Sequence, residues 1–365
     1  MSRYRYDKIL IAVTLLLVLF GIMMVFSASF VVSYQESGTE YHFFQRQVSF
    51  AVLGLVLLGL AMTLDYHILK TSVYPILGVS LLLLVLVLIP GVGLKINNAR
   101  RWIGFMGLNF QPSELAKLAL VIYLAYSLTK KDDKIKTLKV GYLPHLLLML
   151  IMGVLIWEQP DFGAAITIGV IAFIMLFVAG TRLSYLLATV LATAPFIYLG
   201  VVNVEYRFKR IIAFLNPWED PTGSGYHIIQ SFLAFGSGGL TGTGLGQGTQ
   251  KLFYLPYAYS DFIFAVVGEE LGFVGACFLI AAYVVLAVRG FRAARRAPDL
   301  FGTYLAVGIT CLITVGAILN TGVVTGLFPT KGMTLPFISY GGSSLVVNML
   351  AAGILINVSG QGVES

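Results

Sequence analysis

Apolar residues run through this chain in long, unbroken stretches separated by short polar segments. Ile9–Val32, Val48–Leu64, Val73–Val92 and Phe262–Val288 each approach or exceed the roughly 17–25 residues that a helix needs to cross a hydrocarbon core. The stretches are continuous rather than alternating, which excludes a membrane β-barrel. Spans over 9–32, 47–64, 73–93, 113–129, 143–157, 163–180, 184–202, 262–288, 303–328 and 337–358 predict an all-α integral membrane protein with about ten transmembrane helices. Residues 1–365 read as one polytopic membrane domain, with one large loop over 203–261. Arg3, Arg5 and Lys8 precede the first run, and Ser27-Ala28-Ser29 has the small residues of a signal cleavage site. A signal h-region is only about 7–15 residues long, so the first run is read as a retained helix.

Composition agrees. Apolar residues make up 58% of the chain and charged residues 11%, less than half the roughly 25% typical of soluble domains. Mean hydropathy is +0.88. The net charge of +7 is not evidence for nucleic acid, since basic loops of membrane proteins set orientation. Cys277 and Cys311 lie inside apolar runs and have no metal-ligand spacing, so no disulfide is expected.

Lys and Arg fix the orientation. With a cytoplasmic N-terminus, the inside segments hold 14 basic residues and the outside segments 9. The deciding clusters are Lys130, Lys131, Lys134, Lys136 and Lys139, and Arg289, Arg292, Arg295 and Arg296. Both termini are then cytoplasmic. The polar stretches at 94–112, 158–162, 203–261 and 329–336 all fall on the extracytoplasmic side.

Those stretches carry the candidate chemistry. In QPSELAK (111–117), Ser113 is a candidate N-cap, and Glu114 and Lys117 share a helix face three residues apart. An unpaired charge there costs several kcal/mol, so the two form either a structural pair or the lining of a polar cavity. Arg100 and Arg101 beside Trp102 suit a phosphate, or simply anchor the chain at the interface. The Gly-rich run 236–248 has neither GxGxxG spacing nor a Gly-Lys-Ser/Thr end, and reads as flexible loop or close backbone packing. Ser260 is a candidate cap for the eighth span, and Asp261 stands at its start, where an acid complements the helix dipole. Glu269 and Glu270 lie two turns deeper and need a cationic partner, with Lys117 the candidate. Lys331 is the one charge in the turn bracketed by Pro329 and Pro336. His42, His67, His145 and His227 are not spaced as a transition-metal site.

Taken together, NARRWI (98–103), QPSELAK (111–117), QPDFG (159–163), SDFIFAVVGEELG (260–272) and LFPTKGMTLPFISYGGSS (327–344) resemble the shape, elongation, division and sporulation (SEDS) family across nearly the whole chain. The Thr-Lys-Gly at 330–332 resembles its division branch more than its elongation branch. The resemblance implies a ten-helix glycosyltransferase of the bacterial inner membrane that polymerises lipid II on the extracytoplasmic face. It also implies a weakly bound divalent cation, Mg or Mn. The implied partners are a class B penicillin-binding protein with transpeptidase activity and other divisome proteins. The family's essential aspartate falls on Asp261, as catalytic base or metal ligand, and its acid–base pair on Glu114 and Lys117. Arg100, Arg101, Lys251 and Lys331 are then candidate contacts to the substrate's phosphates. Two other classes stay open from sequence: a lipid II flippase, and a scaffold that activates a partner without chemistry.

Overall fold

The apolar runs fold as helices: nine of the ten expected spans each fall on one helix, and the eighth falls on two. The computed structural model describes residues 5–96, 99–105, 108–252 and 254–362; Asn97 and Asn98, noted in the sequence, lie outside them. Helix α1 (Lys8–Ser37) starts where the Asp7 carboxylate accepts the Ile9 and Leu10 amides at 3.0 and 3.1 Å. It stops at Gly38, whose φ of 72° is open to glycine, with the Gly38 amide donating to the Tyr34 carbonyl. Helices α2 (His42–Thr63) and α3 (Ile68–Leu86) follow.

The next segment is not helical. Strands β1 (Gly93–Ile96), β2 (Ala99–Phe105) and β3 (Leu108–Phe110) form an antiparallel sheet in the order β1-β2-β3. Leu94 pairs with Trp102, and Lys95 with Arg100 across an irregularity in register. This small sheet is a departure from the wholly helical expectation. Its strands lie outside the apolar spans, so the helix-length argument never reached them.

Helix α4 (Pro112–Lys130) begins on a proline, which loses nothing at a first-turn position. A short 3₁₀ turn and a π-turn (Leu138–Tyr142) lead into α5 (Leu143–Trp157). Asp161 caps α6 (Phe162–Val178) by accepting the Ala164 amide at 3.1 Å. Helix α7 (Leu183–Val202) follows.

The loop 203–261 is structured. It holds α8 (Glu205–Leu215), a 3₁₀ turn at Pro217–Glu219 and α9 (Tyr226–Gly238). The eighth span is broken into α10 (Ile263–Glu270) and α11 (Gly272–Arg296) at Gly272, whose φ is 65°. The Gly-rich run fills the break. The Thr243 and Gly244 amides donate to the Glu269 and Glu270 carbonyls at 2.9 and 3.0 Å, and the Phe273 and Val274 amides donate to Gly239 and Leu240. A Cβ on Gly242 would sit 2.1 Å from the Glu270 carbonyl oxygen, so only glycine admits this approach. Of the two readings of 236–248, close backbone packing is the one realised.

Helices α12 (Leu300–Val324) and α13 (Gly342–Gly360) complete the fold. They are buried along most of their length, whereas α7 is almost wholly exposed, so α12 and α13 form the centre and α7 the rim. Small residues allow tight contact: a Cβ on Gly353 of α13 would lie 2.6 Å from the Leu58 carbonyl oxygen of α2. Among the described residues eight helices are long and apolar enough to cross a membrane, so this is a multi-pass membrane protein. Helix α6 is apolar but has 17 residues, and α4 has 19 but carries Glu114, Lys117 and Lys130. Cys277 and Cys311 are free thiols.

Candidate active site

Successive side chains of a strand point to opposite faces, and this divides the two arginines of β2. Arg100 turns toward the end of α3, where its guanidinium donates to the Leu88 carbonyl at 3.4 Å. Arg101 turns the other way and donates to the Gln159 carbonyl at 3.0 Å and to the Pro160 carbonyl. The QPDFG motif is thereby fastened to the sheet. The Gln159 amide donates to the Leu84 carbonyl, and Asp161 accepts from Gln111 at 3.0 Å and from Ser113 at 3.4 Å. Ser113 therefore spends its hydroxyl on Asp161 rather than on capping α4, whose cap position is Gln111. One turn on, Lys117 donates to Glu114 at 2.8 Å, as their spacing predicts, with both side chains largely buried.

Asp261 sits in the loop just before α10. Asn320 holds its carbonyl, donating from Nδ2 at 2.9 Å and also to the Met333 carbonyl at 2.6 Å. Ser339 donates to the neighbouring Ser260 carbonyl and accepts the Leu335 amide at 2.7 Å, and the Tyr340 amide donates to the Tyr259 carbonyl. The segment 329–341 is thus stitched along the Asp261 loop. Tyr257 and Phe337, with φ of 58° and 67°, are the non-glycine left-handed turns that let the two segments fold back on each other. Ser260 does not cap α10; its hydroxyl returns to the Tyr257 carbonyl at 3.4 Å.

The Asp261 carboxylate is half-buried and has no hydrogen bond or ion pair among the described residues. Burial pushes it up to about 6; Arg101 and Arg210 pull the other way, and Asp161 adds to the rise. Lys331 is held down to about 8 by burial and by Arg210, against the attraction of Asp161, and it donates to the Phe162 carbonyl at 3.5 Å. Arg210 reaches in from α8 and donates to the Thr330 carbonyl at 3.2 Å. A carboxylate with no hydrogen bond or ion pair among the described residues, in the field of Arg101 and Arg210, is suited to accept a proton beside an anion of high charge.

The structure gathers Arg101, Asp261 and Lys331, and adds Arg210 and Asp161, which sequence reasoning did not assign. Asp161 had a signal in QPDFG; Arg210, one of several basic residues on α8, had none. Lys251 is elsewhere, and its expected place among the phosphate contacts is corrected. Its ammonium is buried, 2.5 Å from Glu270 Oε1 and 3.0 Å from the Ser27 hydroxyl, under the Phe30 ring. The pairing of Lys117 with Glu269 or Glu270 is likewise overturned. Glu270 takes Lys251, and Glu269 accepts the Thr249 and Gln250 amides at 2.7 and 3.1 Å.

Among the described residues no group of three His, Cys, Asp or Glu is placed to hold a metal ion. One acidic ligand such as Asp261 fits a cation that takes its remaining ligands from phosphate and water.

Gly332 faces the carboxylate directly: a Cβ there would lie 2.9 Å from Asp261 Oδ2. Gly332→Ala is expected to rotate the carboxylate and lower kcat about tenfold or more, because small displacements of a reacting group are costly. The fold should survive, since only a side-chain end must move. An unchanged kcat in the alanine variant would show that the carboxylate has room to spare.

The cell cycle protein family of FtsW, RodA and SpoVE matches residues 7–363. The chain belongs to this family. The "probable peptidoglycan glycosyltransferase FtsW" of Geobacter metallireducens is 51% identical over 97% of this chain and 95% of its own length. Stage V sporulation protein E of Bacillus subtilis is 44% identical over 97% and 96%. A chain from a solved peptidoglycan synthase complex, studied for its coordination of polymerization and crosslinking, superposes with a TM-score of 0.81 at 33% identity, covering 97% of this chain and 98% of that one. Thermus thermophilus RodA gives 0.73 at 30% identity, covering 99% of each. Arg101, Asp161, Asp261 and Lys331 come from the motifs that carry the resemblance, whereas Arg210 and Asn320 lie outside them, and in this FtsW/RodA/SpoVE chain they converge at one end of the helix bundle.

Proposed function

We propose that this chain is a peptidoglycan glycosyltransferase that polymerises lipid II into glycan strands during septal wall synthesis. The observation that carries the reading is the Asp261 carboxylate, without a hydrogen bond or ion pair among the described residues, in the field of Arg101 and Arg210, with Lys331 on the segment stitched along its loop. Asp261 accepts the proton of an acceptor GlcNAc 4-hydroxyl while that oxygen attacks the anomeric carbon of the donor sugar. The bond to the polyprenyl pyrophosphate breaks, and Arg101, Arg210 and Lys331 stabilise the departing negative charge. In the alternative role Asp261 would instead hold a divalent cation, Mg or Mn, which would supply further charge neutralisation for the pyrophosphate when bound. Glu114 and Lys117, a neutralised pair in α4, keep the first turns of that helix polar without a net charge.

The division role is supported by relatives named FtsW at about half identity, compared with 30% for RodA. The synthase complex, described as coordinating polymerization and crosslinking, supports a crosslinking partner, which in this reading is a class B penicillin-binding protein acting with other divisome proteins. The basic clusters support an inner-membrane protein with its active face outside the cytoplasm.

The test is polymerisation of purified lipid II, with and without the partner, in Mg or Mn and after chelation. Polymer that disappears on chelation supports the reading with its cation. No polymer under any condition, together with lipid II translocation in proteoliposomes, would replace it with the flippase.

The kcat/KM of the reaction is expected to be bell-shaped in pH. Below about 6 the Asp261 carboxyl is protonated and cannot accept a proton; above about 8 Lys331 loses the charge that steadies the leaving group. Each limb should fall tenfold per pH unit, and Lys331→Arg should move the alkaline limb out of range. A profile flat from pH 5 to 9 would remove both residues from the chemistry.

A further inference from the structure

Helix α4 starts beside Asp161 and ends at Lys130, so its far end marks the opposite side of the bundle from Asp261. There a cavity of about 370 Å³ opens between α3, α4 and the segment before α5. Tyr74, Tyr123 and Tyr126 line it, and Lys130, Lys131 and Lys134 crowd its mouth together with Asp133. Tyr74 and Tyr126 meet edge to face with centroids 5.9 Å apart, and Lys130 Nζ stands 5.8 Å from the Tyr126 ring. The floor is polar and fixed, because Ser127 is tied to the buried His145 Nε2 at 2.9 Å.

None of the three lysines, nor Asp133, forms an ion pair among the described residues. Lys131 is half-buried, and burial with Lys130 alongside holds its ammonium below the ordinary lysine value. Three lysines and one aspartate line an aromatic recess at a helix end, the level of the bilayer where tyrosines rest with ring in lipid and hydroxyl in water. Their charges sum to an excess of positive charge that suits an anion.

We propose that this cavity binds the phosphate of an anionic phospholipid headgroup, with the lysines as counter-charge and the tyrosines against the glycerol and upper acyl carbons. The bound lipid would brace α3 against α4 from the side remote from the chemistry.

The test compares the full chain in phosphatidylglycerol and in phosphatidylcholine nanodiscs, with native mass spectrometry for retained lipid and thermal unfolding for stability. Wild type should retain phosphatidylglycerol selectively and unfold several degrees higher in it. In Lys130→Gln/Lys131→Gln/Lys134→Gln, affinity should fall about fivefold per lysine, on the order of 100-fold in all. The double exchange of the exposed Lys130 and Lys134 replaces the triple one if that variant does not fold. Inorganic phosphate added to phosphatidylcholine discs separates the two sources of the anion: an equal shift there would overturn the lipid assignment in favour of free phosphate. A phosphatidylglycerol effect that survives in the variants, or no effect in wild type, would overturn the site. No outcome depends on glycan synthesis.

Discussion

Replacing Asp261 with asparagine should reduce glycan polymerisation at least 100-fold while leaving the protein as stable as wild type, or more so. A positioned general base contributes roughly 10²–10⁴ to a rate, and asparagine keeps the shape while removing the basic oxygen. The stability half follows from the raised value of about 6. A carboxylic acid whose folded-state value lies above its ordinary one holds its proton more tightly when folded, so ionising it near neutral pH weakens the fold. The neutral amide is free of that cost. Its backbone neighbours do not depend on the carboxylate, because Asn320 bonds the main-chain carbonyl. Thermal unfolding of the purified variant, measured beside its polymerisation, separates the two effects. Full activity with an intact fold would remove Asp261 from the chemistry.

Lys251→Met is expected to cost about 3–5 kcal/mol, since it leaves the Glu270 carboxylate buried without a cation. Glu270 would keep Ser27 at 2.6 Å and the Gly246 amide at 3.1 Å, which are hydrogen bonds but not a counter-charge. Because Ser27 belongs to α1, Glu270 to α10 and Lys251 to the re-entrant loop, loss of the ion should loosen all three together. Replacing both partners, Lys251→Met with Glu270→Met, should restore most of the stability, as no lone ion remains. Unfolding in detergent measures both variants. A loss under about 1 kcal/mol in the single variant, the size of a surface ion pair, would mean that water reaches the site.

Hydrophobic run length was enough to place the helical spans, though not the break in the eighth, because a bilayer enforces one backbone solution over a known distance. It was not enough to read Lys251. In sequence this residue follows a polar, Gly-rich stretch and looks exposed; its burial results from the loop folding back into a broken helix, which no local period encodes. Arg100 and Arg101 show a second limit. Adjacent residues of one type looked equivalent, and only the strand they occupy sends one to the site and the other toward α3. Asp261 and Lys331 were legible because motif spacing marked them, yet their approach depends on Asn320 and Ser339, ordinary polar residues in apolar surroundings. Arg210 came from a basic amphipathic helix with nothing to distinguish it from Arg207 or Lys209.

The break between α10 and α11 sets conditions on how the protein is made. Eight residues of α10 are too few to halt translocation, and the backbone groups freed at Gly272 have no partners within their own span. Their partners lie at 239–244, which must therefore be folded against the break before the span can be released sideways into lipid. Insertion and folding of this region are then a single event, and the order of synthesis helps: the Gly-rich run leaves the ribosome some thirty residues ahead of the helix it completes.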